Sequence, residues 1–131
     1  MESNETIFAV LRIFADGERY AARGTLKQQG TACILSYRDP GMDNTPTTLR
    51  FDEASLTIVR SGAYQTALRF RRGAEEQTEY QTPYGALTLT VRTEQLQIST
   101  LPSGWQLELS YAIGFADGSQ ENHEMSILIT I

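Results

Sequence analysis

Arg60 is the side chain whose placement raises chemistry first. In "SLTIVR" it follows Leu56 and Ile58 at every second residue, so in a strand the three share one face. If that face points inward, a guanidinium enters the interior. It then requires a carboxylate, several carbonyls or a bound anion. Its planar fork suits a ligand carboxylate. The competing reading puts Arg60 at the strand end beside Gly62, where it reaches solvent or a structural acid. The second group is "YQTPYG", residues 80–85. Pro83 cannot donate to a ladder and holds the residue before it extended, while Gly85 admits a positive φ. Tyr80, Thr82 and Tyr84 can therefore leave the directions of a regular strand. A tyrosine offers a pocket an apolar ring and a hydroxyl to aim. Arg60, Tyr80, Thr82 and Tyr84, joined by Phe70, Trp105 and Tyr64, are the candidate walls of a pocket for a small amphipathic acid. The same stretch also reads as a plain corner whose tyrosines end the core, since turn chemistry alone accounts for Pro and Gly.

The other reactive side chains do not assemble into a site. Cys33 alternates with Leu35 and Tyr37 and reads as a small core residue. As the one cysteine it can form neither an internal disulfide nor a cysteine-based metal site. His123, the one histidine, sits in "SQENHE" and reads as a surface residue; the zinc-protease pattern needs a second histidine. Asp16, Glu18, Asp117 and Glu121 could gather around a cation. They lack the spacing of a calcium loop, however, and Asp-Gly turns use aspartate for backbone reasons. "RFRRG", residues 69–73, is basic, but Glu75 and Glu76 follow and point to a solvated turn. No glycine-rich phosphate loop and no G-x-S-x-G elbow is present. No nucleophile, base and orienter form a set. The expectation is a protein that is not an enzyme and uses no cofactor and no metal.

The elements that must position these residues are strands. No stretch keeps the spacing of a helical face, whereas alternating apolar runs recur about every ten residues with turn residues between them. Expected strands run over 6–15, 18–28, 32–38, 47–51, 56–61, 64–71, 76–82, 86–92, 95–100, 105–115 and 124–131. Residues 39–46, "DPGMDNTP", form the one clear loop. The plainest alternation places Trp105, Leu107, Leu109, Tyr111, Ile113 and Phe115 on one face. Ten or eleven strands with short turns bury one face only by closing into a barrel or stacking as a sandwich. The C-terminal "ILITI" would invite aggregation as a free edge, so it is expected to pair with the first strand. "FADG" occurs at 14–17 and 115–118. With an even strand count and paired end strands, these two turns lie side by side.

The chain of 131 residues has the size of one domain, 1–131, and 40% of it is hydrophobic. Its net charge of −5 disfavours nucleic acid and anionic lipid. The N-terminal "MESNETIFAV" lacks the features of a signal peptide, and no apolar run is long enough to span a membrane. The expected compartment is the cytoplasm, where the Asn4-Glu5-Thr6 sequon carries no meaning.

In the order "TTLRF…LTIVRSG…ALRFRRG…TEYQTPYGALTLTVRTEQLQIS…GWQLELSYAI…SILITI" the chain resembles the YwiB-like family of small bacterial proteins. The resemblance runs from about residue 24 to the C-terminus. Its distinctive pieces are Arg60 with Gly62, Phe70, and Tyr80-Gln81-Thr82-Pro83-Tyr84-Gly85, with Thr93 and Tyr111 beside them. It implies an all-β fold, an antiparallel meander barrel of calycin (lipocalin-like) type with about ten strands, and no assigned activity. Two functions are expected to compete. One is a binder of a small apolar or amphipathic ligand inside the barrel. The other is an interaction module with a filled barrel, pairing with a partner or a second copy through Phe8, Val10 and Phe14.

Overall fold

The computed structural model describes residues 5–131; the sequon residue Asn4 and the start of the expected leader-free N-terminus lie outside them. Ten strands follow one another: β1 (Ile7–Ala15), β2 (Glu18–Gln29), β3 (Ala32–Asp39), β4 (Thr45–Phe51), β5 (Ser55–Arg60), β6 (Thr66–Arg71), β7 (Glu75–Thr82), β8 (Gly85–Leu101), β9 (Gly104–Gly114) and β10 (Gln120–Thr130). A single 3₁₀ turn, Pro40–Met42, is the one helical element among the described residues. Among the described residues no helix is long and apolar enough to cross a membrane.

All ten strands join one antiparallel sheet in the order β6-β5-β4-β3-β2-β1-β10-β9-β8-β7. The sheet is rolled so that its two ends meet. The first and last strands pair from Val10 opposite Thr130 to Ala15 opposite Met125, which gives "ILITI" a neighbour on both sides. The barrel's seam lies between β6 and β7. There the ladder is replaced by a few tethers: Gln65 and Gln81 exchange backbone hydrogen bonds at 2.9 and 2.8 Å, the Thr78 hydroxyl donates to the Ala67 carbonyl, and Arg71 pairs with Glu76 at 2.8 Å.

Alternation decides the core. Leu11, Leu26, Leu35, Leu49, Ile58, Phe70, Leu107 and Ile129 are fully buried on the inward face, while Phe8 and Val10 of β1 point outward. Removing such side chains from water is worth about 1.5–3 kcal/mol each.

Three local expectations change. The loop expected over 39–46 ends sooner, because β4 begins at Thr45 and admits Pro46 opposite Arg38. The expected pieces 86–92 and 95–100 are one strand, β8, bent by a bulge between Thr93 and Gln95, so the count is ten rather than eleven. The corner at 82–85 is a tight hairpin: Thr82 pairs with Gly85 across the two-residue loop Pro83-Tyr84. Gly85 does take a positive φ, 126°, a region that suits a residue without Cβ.

The turns at 16–17, 39–44, 61–65, 83–84 and 115–119 all lie at one mouth of the barrel. The two "FADG" segments are therefore neighbours. The Asp16 amide donates to the Glu124 carbonyl at 3.0 Å. Their conformations differ: Asp16 and Gly17 both have positive φ, whereas Asp117 folds its carboxylate onto the Ser119 amide within a longer loop.

Candidate functional site

A cavity of about 1020 Å³ opens at that mouth. Because the strands enter or leave here, most of them contribute side chains to its wall. Tyr20 comes from β2, Arg60 from β5, Thr66 and Leu68 from β6, Tyr80 from β7, Leu87 and Leu89 from β8, Tyr111 and Ile113 from β9, and His123 and Met125 from β10. The opposite half of the barrel is solid. Phe70 packs on Tyr111 with ring centroids 4.7 Å apart, and Phe51 meets Trp105 edge-on at 5.8 Å.

Arg60 turns inward, its side chain 11% exposed, and faces Asp39 at 3.5 Å. Asp39 is buried and sits at the end of β3, where the chain must stop being a strand before Pro40. One of its carboxylate oxygens accepts the Gly41 amide at 2.9 Å and so caps the 3₁₀ turn; the other faces Arg60. The Tyr20 hydroxyl lies near the same carboxylate, whose charge helps to raise its pKa. Gly41 must be a glycine here, because a Cβ would lie 2.5 Å from the Tyr20 ring. Thus one carboxylate gathers the loop, the tyrosine and the arginine. The cluster leaves donors over: Arg60 Nε and the buried Thr66 hydroxyl have no hydrogen-bond partner among the described residues, and Thr66 stands opposite Arg60 in the β5–β6 ladder.

At the rim His123 stacks on Tyr111 at 5.1 Å and uses both ring nitrogens, Nδ1 to Asp16 at 2.7 Å and Nε2 to Glu121 at 3.1 Å. It had read as a plain surface residue; its side chain is instead three-quarters covered and lines the mouth. Burial works to raise the Asp16 pKa, but the hydrogen bonds from His123 and the Glu124 amide outweigh it and hold the carboxyl below its ordinary range. Asp16, Glu18 and Glu121 share the mouth, while Asp117 is bound to Ser119 in its own turn. No group of acidic, histidine or cysteine side chains is arranged to hold a metal among the described residues.

The candidate residues separate. Arg60 and Tyr80 line the cavity together with Tyr64, whose ring lies 6.0 Å from that of Tyr80. Phe70 is fully buried and floors the space through Tyr111. Three do not join them. Tyr84 is 94% exposed at the hairpin tip, because a two-residue turn projects its side chains away from the barrel. Thr82 spends its hydroxyl on that turn, accepting from the Tyr84 amide and donating to the Gly85 carbonyl. Trp105 lies near the far end of β9, against Phe51. Sequence reasoning passed over Asp39, Tyr20 and Thr66 and read His123 as a surface residue. Asp39-Pro40-Gly41 was a readable signal, since aspartate before such a turn is a capping residue.

Burial pushes the Tyr20 hydroxyl up to about 12, with the Asp39 charge and hydrogen bond adding to it. Burial likewise pushes Tyr111 up to about 12, against the opposing charge of Arg60. Tyr37 is raised further by burial beside Asp39. An unfolded tyrosine ionises near pH 10. The folded state therefore keeps protons that the unfolded state releases, and this stabilisation is whole below pH 10 and lost as pH rises toward 12. The expected result is a melting temperature that falls steeply over that window. Tyr20, Tyr37 and Tyr111 should resist ionisation in the folded protein above pH 10; their ionisation near pH 10 with the fold intact would contradict their burial.

A family model described as a domain of unknown function (DUF1934) matches residues 16–127. The "uncharacterized beta-barrel protein YwiB" of Bacillus subtilis (strain 168) is 23% identical over 100 residues, 76% of this chain and 70% of that protein. The crystal structure of the ywiB protein from Bacillus subtilis aligns with a TM-score of 0.76 at 20% identity, covering 95% of this chain and 92% of that one. That likeness extends to the fold.

Proposed function

The chain belongs to the DUF1934 family of domains of unknown function, which brings no activity with it, and from the geometry of the barrel we propose that it is a non-enzymatic binder of one small amphipathic molecule. The observation that carries this reading is the cavity of about 1020 Å³ at the mouth, the size of a small-molecule site in a barrel of the kind that encloses single ligands, as calycins do. Its apolar wall, Leu68, Leu87, Leu89 and Ile113, holds the guest's body; Tyr20, Tyr64, Tyr80, Arg60 and Thr66 offer polar groups. Binding without turnover fits the reactive side chains. Both nitrogens of His123 are engaged by carboxylates, which leaves no free base to activate a nucleophile. Burial raises the Cys33 thiol, the opposite of what a nucleophilic thiolate needs. A lone buried thiol fits the cytoplasm, where thiols stay reduced.

The uncharged dye phenylnaphthylamine should brighten on titration with the protein, and the amide signals that shift should be those of Tyr80, Leu89 and Tyr111. Leu87→Trp, at a half-exposed position on the cavity wall, should remove most of the enhancement. A dye that stays dark with the wild-type protein would sink the proposal.

The second reading, an interaction module, is favoured by Phe8 and Val10, 83% and 45% exposed on the outer face of β1. Adjacent apolar side chains on one strand face suit pairing with a second copy. Concentration-dependent shifts confined to Phe8–Val10, with none at the cavity, would favour it.

A further inference from the structure

Arg60 suggests an acidic guest; the fold argues against one. We propose that the molecule this cavity takes is a cationic amphiphile, a small organic ammonium ion with a neutral hydrogen-bonding group behind the charge. The inference rests on the cavity being a ligand site, and it names the ligand's charge.

Three observations carry it. The first is that Arg60 is already answered: Asp39, buried at 3.5 Å, supplies the opposite charge. A guest carboxylate would have to compete with a carboxylate the fold has fixed in place, and would lie close to it at low dielectric. The second is the rim. Asp16, Glu18, Asp43 and Glu121 line the mouth, and the other basic lining residue is His123, set between Asp16 and Glu121. Even with its imidazole protonated, carboxylates outnumber it, so the entrance repels anions and draws cations. Tyr64 and Tyr80, with rings 6.0 Å apart, add faces that attract an ammonium group.

The third observation is independent of charge. Thr66 is nine-tenths buried, lies on the inward face of β6, lines the cavity and has no hydrogen-bond partner among the described residues. Arg60 Nε beside it is also unpaired. Buried polar groups are normally satisfied. These two call for a neutral acceptor beside the β5–β6 turn, such as a carbonyl, ether or hydroxyl oxygen, with the ammonium group left to the carboxylates of the rim.

Isothermal titration with octyltrimethylammonium, octanol and octanoate, each below its micelle concentration and at low salt, tests the charge on a constant tail. The ammonium ion should bind at least about tenfold more tightly than octanoate, which corresponds to about 1.4 kcal/mol. Added salt should narrow the gap. The Glu18→Gln, Glu121→Gln double variant, with an unchanged melting temperature, should lose most of the preference while still binding octanol. Octanoate binding as tightly as the ammonium ion, or more so, would overturn the charge assignment while leaving the cavity a ligand site. If none of the three binds, the ligand-binding reading fails, and this one with it.

Discussion

Deleting Met125–Ile131 should abolish soluble expression. Those residues are the half of β10 that joins the two arms of the meander, paired with β1 on one side and with Trp105, Leu107 and Leu109 of β9 on the other. Ile127 and Ile129 are 1% and 0% exposed. At about 1.5–3 kcal/mol for each such side chain, their loss approaches the 5–15 kcal/mol that holds a typical domain together. The deletion also opens the sheet where it is best closed. The facing edges of β1 and β9 would be long and largely apolar, a template for aggregation. The seam between β6 and β7 cannot stand in, because a few tethers replace the ladder there. The measurement is the soluble fraction after expression, followed by a melt of whatever remains in solution. A soluble truncated chain with a cooperative transition would show that closure through β10 is not what holds the barrel.

Asp39→Ala is the costliest single change expected in the site, about 3–5 kcal/mol by urea denaturation, because it leaves a mostly buried guanidinium without its counter-charge. The same substitution takes the hydrogen-bond acceptor from the Gly41 amide, so the 3₁₀ turn should loosen as well. Adding Arg60→Leu to Asp39→Ala removes the stranded charge, and the pair should recover a good part of the loss; a double-mutant cycle separates that coupling from the cap. An Asp39→Ala protein within about 1 kcal/mol of wild type would mean that Arg60 reaches water once released. The premise that Asp39 answers the charge of Arg60 would then fail.

The alternation of Leu107, Leu109 and Tyr111 fixed which side of β9 faces inward, and all three are buried. The hazard of a free "ILITI" edge required a partner for the last strand, and β1 is that partner. The repeated "FADG" turns fell side by side because the strand count is even. The family resemblance carried by Arg60, Phe70 and residues 80–85 agrees with the family model that matches residues 16–127. These features were legible because strand period, turn chemistry and edge protection act between near neighbours or along whole strands.

The site was legible only in part. Leu56 and Ile58 put Arg60 on their face but left open whether it turns inward or reaches out at the strand end, and nothing local told that Asp39, separated from it by a loop and all of β4, supplies its partner. Asp16 and His123 meet across 107 positions of sequence, and Tyr84 left the pocket because two residues sufficed for the turn. Residue types and their period settled strands, inward face and closure, because a pleat repeats every two residues wherever it occurs. Which inward side chains stand at the same height, which charges cancel and where the interior stays empty follow from the stagger of ten strands around the barrel. That stagger is set by packing and turn geometry summed over the whole sheet, and no single stretch of chain encodes it.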